Sequence, residues 1–182
     1  MKKKILIGVG ILVFAIGAYA LYLTLTPRKS PAKTTEFSDK GLDIKVVYSQ
    51  PSKKGRFIFG DEKDDALQPY GKYWRLGANA ATEITFSKNV NFAGMPVNAG
   101  SYRMYAVPGA SSFKVFLNSE LGVNFGAAGD ADHALDVLFV DVPVQTTEET
   151  EMFTINFGSD STGVQMDFVW DKILVRVPIS IQ

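Results

Sequence analysis

The sequence of 182 residues contains no cysteine and only one histidine, His133. The lack of cysteine excludes disulfide bonds, thiolate catalysis and cysteine-ligated zinc or iron–sulfur sites. A single histidine excludes a histidine-rich metal site, and any catalytic triad would have to include His133. The sequence also lacks a P-loop and a Gly-x-Ser-x-Gly motif. We therefore expect no cofactor and no metal site, and we assign no catalytic residue.

Acidic residues are scarce at the N-terminus, and basic residues are outnumbered by acidic ones in the rest of the chain. Residues 1–36 contain six basic residues against one acidic residue, which gives a net charge of +5. The remainder contains thirteen basic and eighteen acidic residues, which gives −5. Nucleic-acid binding depends on cation contacts to phosphates, so the acidic remainder excludes nucleic acid as a partner.

The N-terminal segment has the pattern of a membrane anchor. Three lysines at positions 2–4 precede an uncharged, mostly apolar run that begins at Ile5 and ends at Leu25. As a helix this run would be about 30 Å long, the thickness of a bilayer core. The lysines favour a cytoplasmic tail at residues 1–4 and an extracytoplasmic C-terminal domain on the periplasmic side. The alternative is a signal peptide that is cleaved after Ala20.

A polar segment separates this run from the rest of the chain. Residues 26–38 include Pro27 and Pro31 and have no hydrophobic period, which predicts a flexible tether. The remaining residues, 39–182, are long enough for one domain with one core.

Beyond the tether, apolar and polar residues alternate with a period of two. This alternation predicts half-buried strands at residues 42–48, 84–86, 102–106, 113–117 and 152–157. Residues 135–142 are apolar on both faces apart from Asp136 and Asp141, which predicts a strand in the middle of a packed sheet. No long helical stripe is present. The predicted fold is all-β, an antiparallel two-sheet β-sandwich or jelly roll.

The C-terminal residues predict a β-hairpin. A two-residue turn at Asp171 and Lys172 would place apolar residues, from Val164 to Ile179, on one face of both arms. The same register places Asp167 opposite Arg176 as a cross-strand ion pair. A four-residue loop is the alternative, because the turn lacks Gly and Asn.

Three short motifs carry a family resemblance, namely Lys54-Gly55-Arg56, Pro69-Tyr70-Gly71 and Trp74-Arg75-Leu76-Gly77-Ala78-Asn79. Together they resemble the bacterial family called domain of unknown function 2911, and the resemblance spans residues 40–181. It implies a secreted or membrane-anchored envelope protein, and it implies no activity. The chain departs from the family pattern at position 80, where it has Ala80 in place of Glu.

The stretch from Gln68 to Asn79 combines aromatic, basic and turn residues without a regular period, which is typical of a site on a loop. Aromatic rings stack on sugars, and guanidinium groups bind carboxylates or hydroxyls. We therefore predict a binding module for a glycan fragment or another envelope protein. The alternative is a structural plug of core aromatics and a buried arginine. The predicted ligand-binding residues are Arg56, Tyr70, Trp74, Arg75 and Asn79.

Other functions remain open from the sequence alone. The acidic residues at positions 61, 62, 64 and 65 lack the spacing of an EF-hand, so a solvated loop is expected there. His133 follows Asp130 and Asp132, which would suit a carboxylate-dependent hydrolase, for example of a glycan. A purely structural envelope domain is a third interpretation.

Overall fold

The computed structural model describes residues 2–25, 29–124, 129–161 and 163–182. It begins with one helix, α1, Lys2–Leu25. The predicted N-terminal helix is thus present. Over the residues just given, however, no helix combines the length and apolarity needed to cross a membrane. The helix of the predicted span from Ile5 to Leu25 is confirmed, and its role as a membrane anchor stays a prediction from the sequence.

After α1, the described chain is built almost entirely of strands. Two short 3-10 helices, Glu62–Asp64 and His133–Leu135, interrupt it. The eleven strands of the described residues are β1 Ala32–Asp39, β2 Leu42–Ser49, β3 Phe59–Gly60, β4 Gln68–Pro69, β5 Thr82–Phe86, β6 Val90–Phe92, β7 Met95–Val97, β8 Gly100–Val107, β9 Ser112–Asn118, β10 Asp136–Asp160 and β11 Gly163–Ile181.

Nine of these strands form one antiparallel sheet in the order β1-β2-β5-β8-β9-β10-β11-β6-β7, and β3 and β4 form a small parallel pair. The predicted antiparallel all-β class is confirmed. The expected two separate sheets are corrected to one continuous sheet, because the 25-residue strand β10 changes partner along its length. Pro143 still pairs with Ser112 of β9, whereas Val144 pairs with Val175 of β11.

Side-chain hydrogen bonds join β1, β2 and the residue after β2 to the second half of β10. The Oγ1 of Thr35 donates a hydrogen bond of 3.2 Å to the carbonyl of Ile155. The hydroxyl of Tyr48 accepts one of 3.0 Å from the Ile155 amide. Gln50 Nε2 donates to the carbonyl of Phe153 at 3.2 Å. These contacts hold β1 and the C-terminal end of β2 beside the second half of β10.

The core consists of the inward-facing residue of each alternating pair. On β2, for example, Leu42, Ile44 and Val46 are at most 1% exposed, whereas the residues between them are exposed. Burial of one such aliphatic side chain contributes about 1.5–3 kcal/mol before entropy is subtracted. The period-two pattern therefore predicted the core side of β2 correctly.

Strand β1 extends into the predicted tether. The tether was expected over residues 26–38, but β1 begins at Ala32 and pairs with β2 along its whole length. The hairpin turn uses Lys40 and Gly41, which have φ of 49° and 76°. Two consecutive residues with positive φ match the twist of antiparallel strands. Residues 26–28 of the predicted tether lie outside the described residues.

The first half of β10 is less buried than predicted. Residues 135–142 were expected to be covered on both faces, but Val137 and Phe139 are 48% and 51% exposed. Only the alternate residues Val140 and Val142 are buried. The continuous apolar run predicted a central strand, whereas one face of this strand is open to solvent.

Strand β11 turns back on itself at the predicted position. A straight strand would separate Asp167 from Arg176 by about 30 Å. Instead, Arg176 donates two hydrogen bonds of 2.7 Å to the carboxylate of Asp167. Asp171 has φ of 54°, and a Cβ at Gly163 would lie 2.6 Å from the carbonyl oxygen of Ile179. The chain therefore reverses direction near Asp171, and the predicted ion pair is confirmed.

Candidate functional site

Trp74, in the middle of the stretch of residues 68–79, hydrogen-bonds this stretch to the sheet. The backbone N–H and C=O of Trp74 both form 2.8 Å hydrogen bonds with Ala106 of β8. Its side chain is 3% exposed and lies against an aromatic cluster. The ring centroids of Phe153 and Trp170, for example, lie 4.9 and 5.9 Å away. Trp74 therefore stabilises the core and cannot stack on a ligand in solution.

Polar contacts hold the second half of the same stretch. Arg75 Nη1 donates 2.7 Å to the carbonyl of Asn79, and Asn79 Nδ2 donates 3.1 Å to the carbonyl of Ser30. Gly77 lies so close to the sheet that a Cβ would be 2.7 Å from the carbonyl oxygen of Ser49. These contacts match the alternative of a structural plug, with Arg75 tying a loop carbonyl.

The structure does not bring the five predicted ligand-binding residues together. Tyr70 is partly buried against the core, and its amide donates to the carbonyl of Gly60 at 2.8 Å. Of the five, Arg56 lines a cleft on the domain surface, whereas Tyr70, Trp74, Arg75 and Asn79 do not line it.

That cleft, the basic cleft, has a volume of about 480 Å³. Small-molecule sites commonly have volumes of about 300–1,000 Å³. The wall combines cationic, polar and apolar side chains, and it contains no carboxylate. Gln68 and Ala78 at the wall belong to the predicted stretch, which therefore contributes to the site through residues that the prediction did not select. The lining residues are Lys29, Ser30, Pro51, Ser52, Lys54, Arg56, Leu67, Gln68, Ala78 and Trp170.

The three cations at the basic cleft, Lys29, Lys54 and Arg56, have no ion-pair partner among the described residues. Elsewhere cations are commonly neutralised, as Lys45 is by Glu36 and Arg176 is by Asp167. The cleft thus concentrates unpaired positive charge on a domain with net negative charge. Positive potential focused in a cleft attracts anions.

Arg56 is oriented by carbonyl groups of its own loop. Its Nε donates a hydrogen bond of 2.9 Å to the carbonyl of Lys53, and its Nη2 donates to the carbonyl of Ser52. A guanidinium group has five N–H donors, so these bonds leave three. The planar group is therefore held in place with donors remaining for an anion.

Lys53 attaches this loop to the corner of β10 and β11. Its ammonium group lies 2.6 Å from Glu149 and 2.7 Å from Asp171. The hydrogen bond to Asp171, followed by the one to Glu149, raises the pKa of Lys53. The hydrogen bond from Lys53 lowers the pKa of Glu149. The amide of Lys54 also donates a hydrogen bond of 2.8 Å to a carboxylate oxygen of Glu151. Carboxylates outside the cleft therefore hold the loop that carries Lys53, Lys54 and Arg56, called the cationic loop below.

A second polar cluster lies around His133, away from the residues of the basic cleft. His133 Nδ1 lies 3.0 Å from Oδ2 of Asp136, and this hydrogen bond raises the pKa of His133. Asp136 also accepts hydrogen bonds of 2.8 Å from the hydroxyl of Tyr105 and from Asn118 Nδ2. Burial, followed by the bond to Asp136, raises the pKa of Tyr105. The sequence singled out Asp130 and Asp132 beside the histidine, but it did not identify Asp136 or Tyr105.

Arg103 lies in the same outer layer as Tyr105 and is only 1% exposed. It pairs with Glu120 and donates 2.6 Å to the hydroxyl of Tyr73. Burial lowers the pKa of Arg103, but the bonds to Tyr73 and Glu120 outweigh burial and raise it overall. A buried arginine with two such partners joins Glu120, which follows β9, to Tyr73, which precedes β5. Nothing in the sequence pattern of β8 predicted that an arginine on its outer face would be buried.

The acidic residues 61–65 do not converge on one point. Asp61 pairs with Lys63, and Glu62 pairs with Lys72. In the chain as described, no group of three or more His, Asp or Glu residues is arranged to hold a metal ion.

The fold and the cleft define the protein as a mainly antiparallel β-sheet domain with a basic surface cleft. The chain belongs to the family described as Protein of unknown function (DUF2911), whose model matches residues 30–179. This match confirms the resemblance that the three motifs indicated. No curated protein and no solved structure matches the chain.

Proposed function

We propose that the domain binds a small anionic molecule in the basic cleft. The observation that carries this proposal is the presence of three cations without carboxylate partners, Lys29, Lys54 and Arg56, in one cleft of about 480 Å³. Three unpaired cations in one cleft create a positive potential, which attracts an anion from solution.

The wall composition favours a ligand with an acidic group and an uncharged body. Arg56 and Lys54 donate hydrogen bonds to a carboxylate, sulfate or phosphate group. Leu67 and Pro51 offer apolar surface, and Gln68 offers an amide that orients a hydroxyl. An acidic glycan fragment fits this description. The sequence predicted a glycan fragment as one possible ligand, and the cations of the cleft favour a glycan that carries an acidic group.

The cellular location of the cleft stays a prediction from the sequence. Lys29 and Ser30, which form one side of the cleft, follow α1 after the three residues that the structure leaves undescribed. In an extracytoplasmic protein that is held at the envelope by its N-terminal segment, such a cleft would meet acidic envelope glycans.

Isothermal titration with glucuronic acid, and with glucose as the uncharged control, tests the proposal. Arg56→Gln removes a charged donor, and such a bond contributes about 1.5–3 kcal/mol, so the affinity should fall about tenfold or more. Lys88→Gln is the matched control, because Lys88 is exposed, has no ion pair among the described residues and lies outside the cleft. Its affinity should equal that of the wild type.

Equal binding of glucose and glucuronic acid would contradict an anion site. Equal weakening by Arg56→Gln and Lys88→Gln would show that net charge, and not the cleft, governs binding. Failure of the wild type to bind glucuronic acid, sulfate and phosphate would favour the alternative of a purely structural envelope domain.

A further inference from the structure

The first half of β10 has an open edge. Residues 136–143 pair with β9 on one side, and no strand of the described chain pairs with their other side. In an antiparallel ladder, half of the backbone N–H and C=O groups point away from the existing partner. These groups are available to an additional strand, which is the usual way in which a sheet edge binds an extended peptide.

The outer face beside this edge is apolar. Leu135, Val137 and Phe139 are 41%, 48% and 51% exposed. Phe139 packs its ring against Phe116 of β9, with 5.3 Å between centroids, so the apolar surface continues onto the neighbouring strand. A strand added along β10 would cover Val137 and Phe139 with its own alternate side chains.

The charges around the open edge are acidic. From residue 129 to residue 143 the chain contains four aspartates and no lysine or arginine. Asp130 and Asp132 are exposed, and Asp141 has a side chain that is 55% exposed. Two basic side chains lie against this strand: Lys114 of β9 is 3.6 Å from Asp141, and His133 is 3.0 Å from Asp136. A basic strand is therefore favoured at this edge over an acidic one, and over a second copy of the same acidic edge.

We propose that the open edge of β10 binds an extended partner segment in which apolar and basic residues alternate. The partner adds a strand next to residues 136–141, places its apolar residues against Val137 and Phe139, and directs its basic residues towards the neighbouring aspartates. This surface is separate from the basic cleft, whose lining includes no residue of β10.

A designed peptide of alternating valine and lysine tests this proposal, with an alternating valine and glutamate peptide as the charge control. Fluorescence anisotropy measures the affinity for the full chain. The Val137→Lys variant places a cation on the edge and should weaken binding of the valine–lysine peptide at least tenfold. Val47→Lys is the matched control, because Val47 is 42% exposed on β2, which has strands on both sides.

Hydrogen exchange of the wild type provides a second measurement that needs no variant. Binding of the valine–lysine peptide should slow amide exchange within residues 136–141 and leave β2 unchanged. Equal affinity of the two peptides, equal effects of Val137→Lys and Val47→Lys, or no binding of either peptide would overturn the proposal. The protein alone could also form a dimer at high protein concentration, with slower amide exchange in residues 136–141. That result would assign the edge to a second copy of the chain and would also overturn the proposal.

Discussion

Arg176 and Asp167 form a two-bond ion pair across the reversal of β11. Arg176 Nε and Nη2 each lie 2.7 Å from a carboxylate oxygen of Asp167. The two residues are nine positions apart in a strand that is continuous from Gly163 to Ile181. Their contact fixes the register in which the apolar residues on the opposite face enter the core. The register follows from the agreement of an apolar face and a charge pair.

Removing this pair should cost little stability. Arg176 has a side chain that is 45% exposed, and cross-strand pairs of this kind contribute about 0.2–1 kcal/mol. Asp167→Asn should therefore lower the free energy of unfolding by less than about 1 kcal/mol, measured by urea denaturation. A double-mutant cycle with Arg176→Gln isolates the pair. A loss of several kcal/mol would contradict this expectation, because the ion pair alone could not account for it.

Replacing Trp74 should destabilise the whole domain. Its side chain is 3% exposed within the aromatic cluster, and truncation of a buried aromatic residue to alanine costs about 3–5 kcal/mol. Trp74→Ala should show this loss in thermal or urea unfolding. Trp74→Phe should lose less stability, because the indole Nε1 has no hydrogen-bond partner among the described residues. Met95→Ala, at an exposed position, is the control and should change stability by less than about 0.5 kcal/mol. An unchanged melting temperature of Trp74→Ala would contradict a core role.

His133 should make stability depend on pH around neutrality. The hydrogen bond to Asp136 raises its pKa above the ordinary value of 6.5. A pKa that is raised in the folded state gives stabilisation that is complete below the unfolded pKa and is lost as the pH rises through the folded pKa. The stability difference between wild type and His133→Gln should therefore be largest below pH 6.5, the ordinary pKa of histidine, and should shrink as the pH rises through the raised pKa of the folded state. A difference that grew with pH would contradict the pair.

Lys53 should control the order of the cationic loop more than the stability of the core. Lys53→Met removes the contacts to Glu149 and Asp171, so amide exchange at Lys54 and Arg56 should become faster. The pKa of Glu149 is lowered by Lys53, so its stabilisation is present above its unfolded pKa and is lost as the pH falls. This acid-side loss should be smaller in the variant. Lys63→Met is the control, since its pair with Asp61 is exposed. Unchanged amide exchange in Lys53→Met would show that the contacts of Lys53 to Glu149 and Asp171 do not hold the loop in place.

Local patterns predicted much of the fold. The alternation in β2, β8 and β9 and the reversal at Asp171 follow from side-chain period and charge, and the structure contains them. The pattern could not show that β10 pairs with two different strands, because partner choice depends on distant segments. It also placed β1 in a tether, because the residues of β1 are mostly polar, and none of them is fully buried, so the strand shows no apolar alternation.

The candidate site was less predictable than the fold. Trp74 and Arg75 have the residue types of a binding loop, but burial and carbonyl contacts assign them to the domain interior and to loop anchoring. Lys29 and Lys54 are far apart in sequence, and neither has a local pattern that marks it. They line one cleft with Arg56 only after folding places the segment before β1 beside the loop after β2.

The most direct test of the central claim is to locate an anion on the protein by X-ray diffraction. Crystals soaked in selenate, and measured at the selenium absorption edge, report the position of bound anions without a choice of natural ligand. If the basic cleft binds anions, an anomalous peak should lie in it within hydrogen-bond distance of Arg56, and no such peak should appear in Arg56→Gln crystals. Peaks only at other surface cations such as Lys88, with an empty basic cleft, would contradict it.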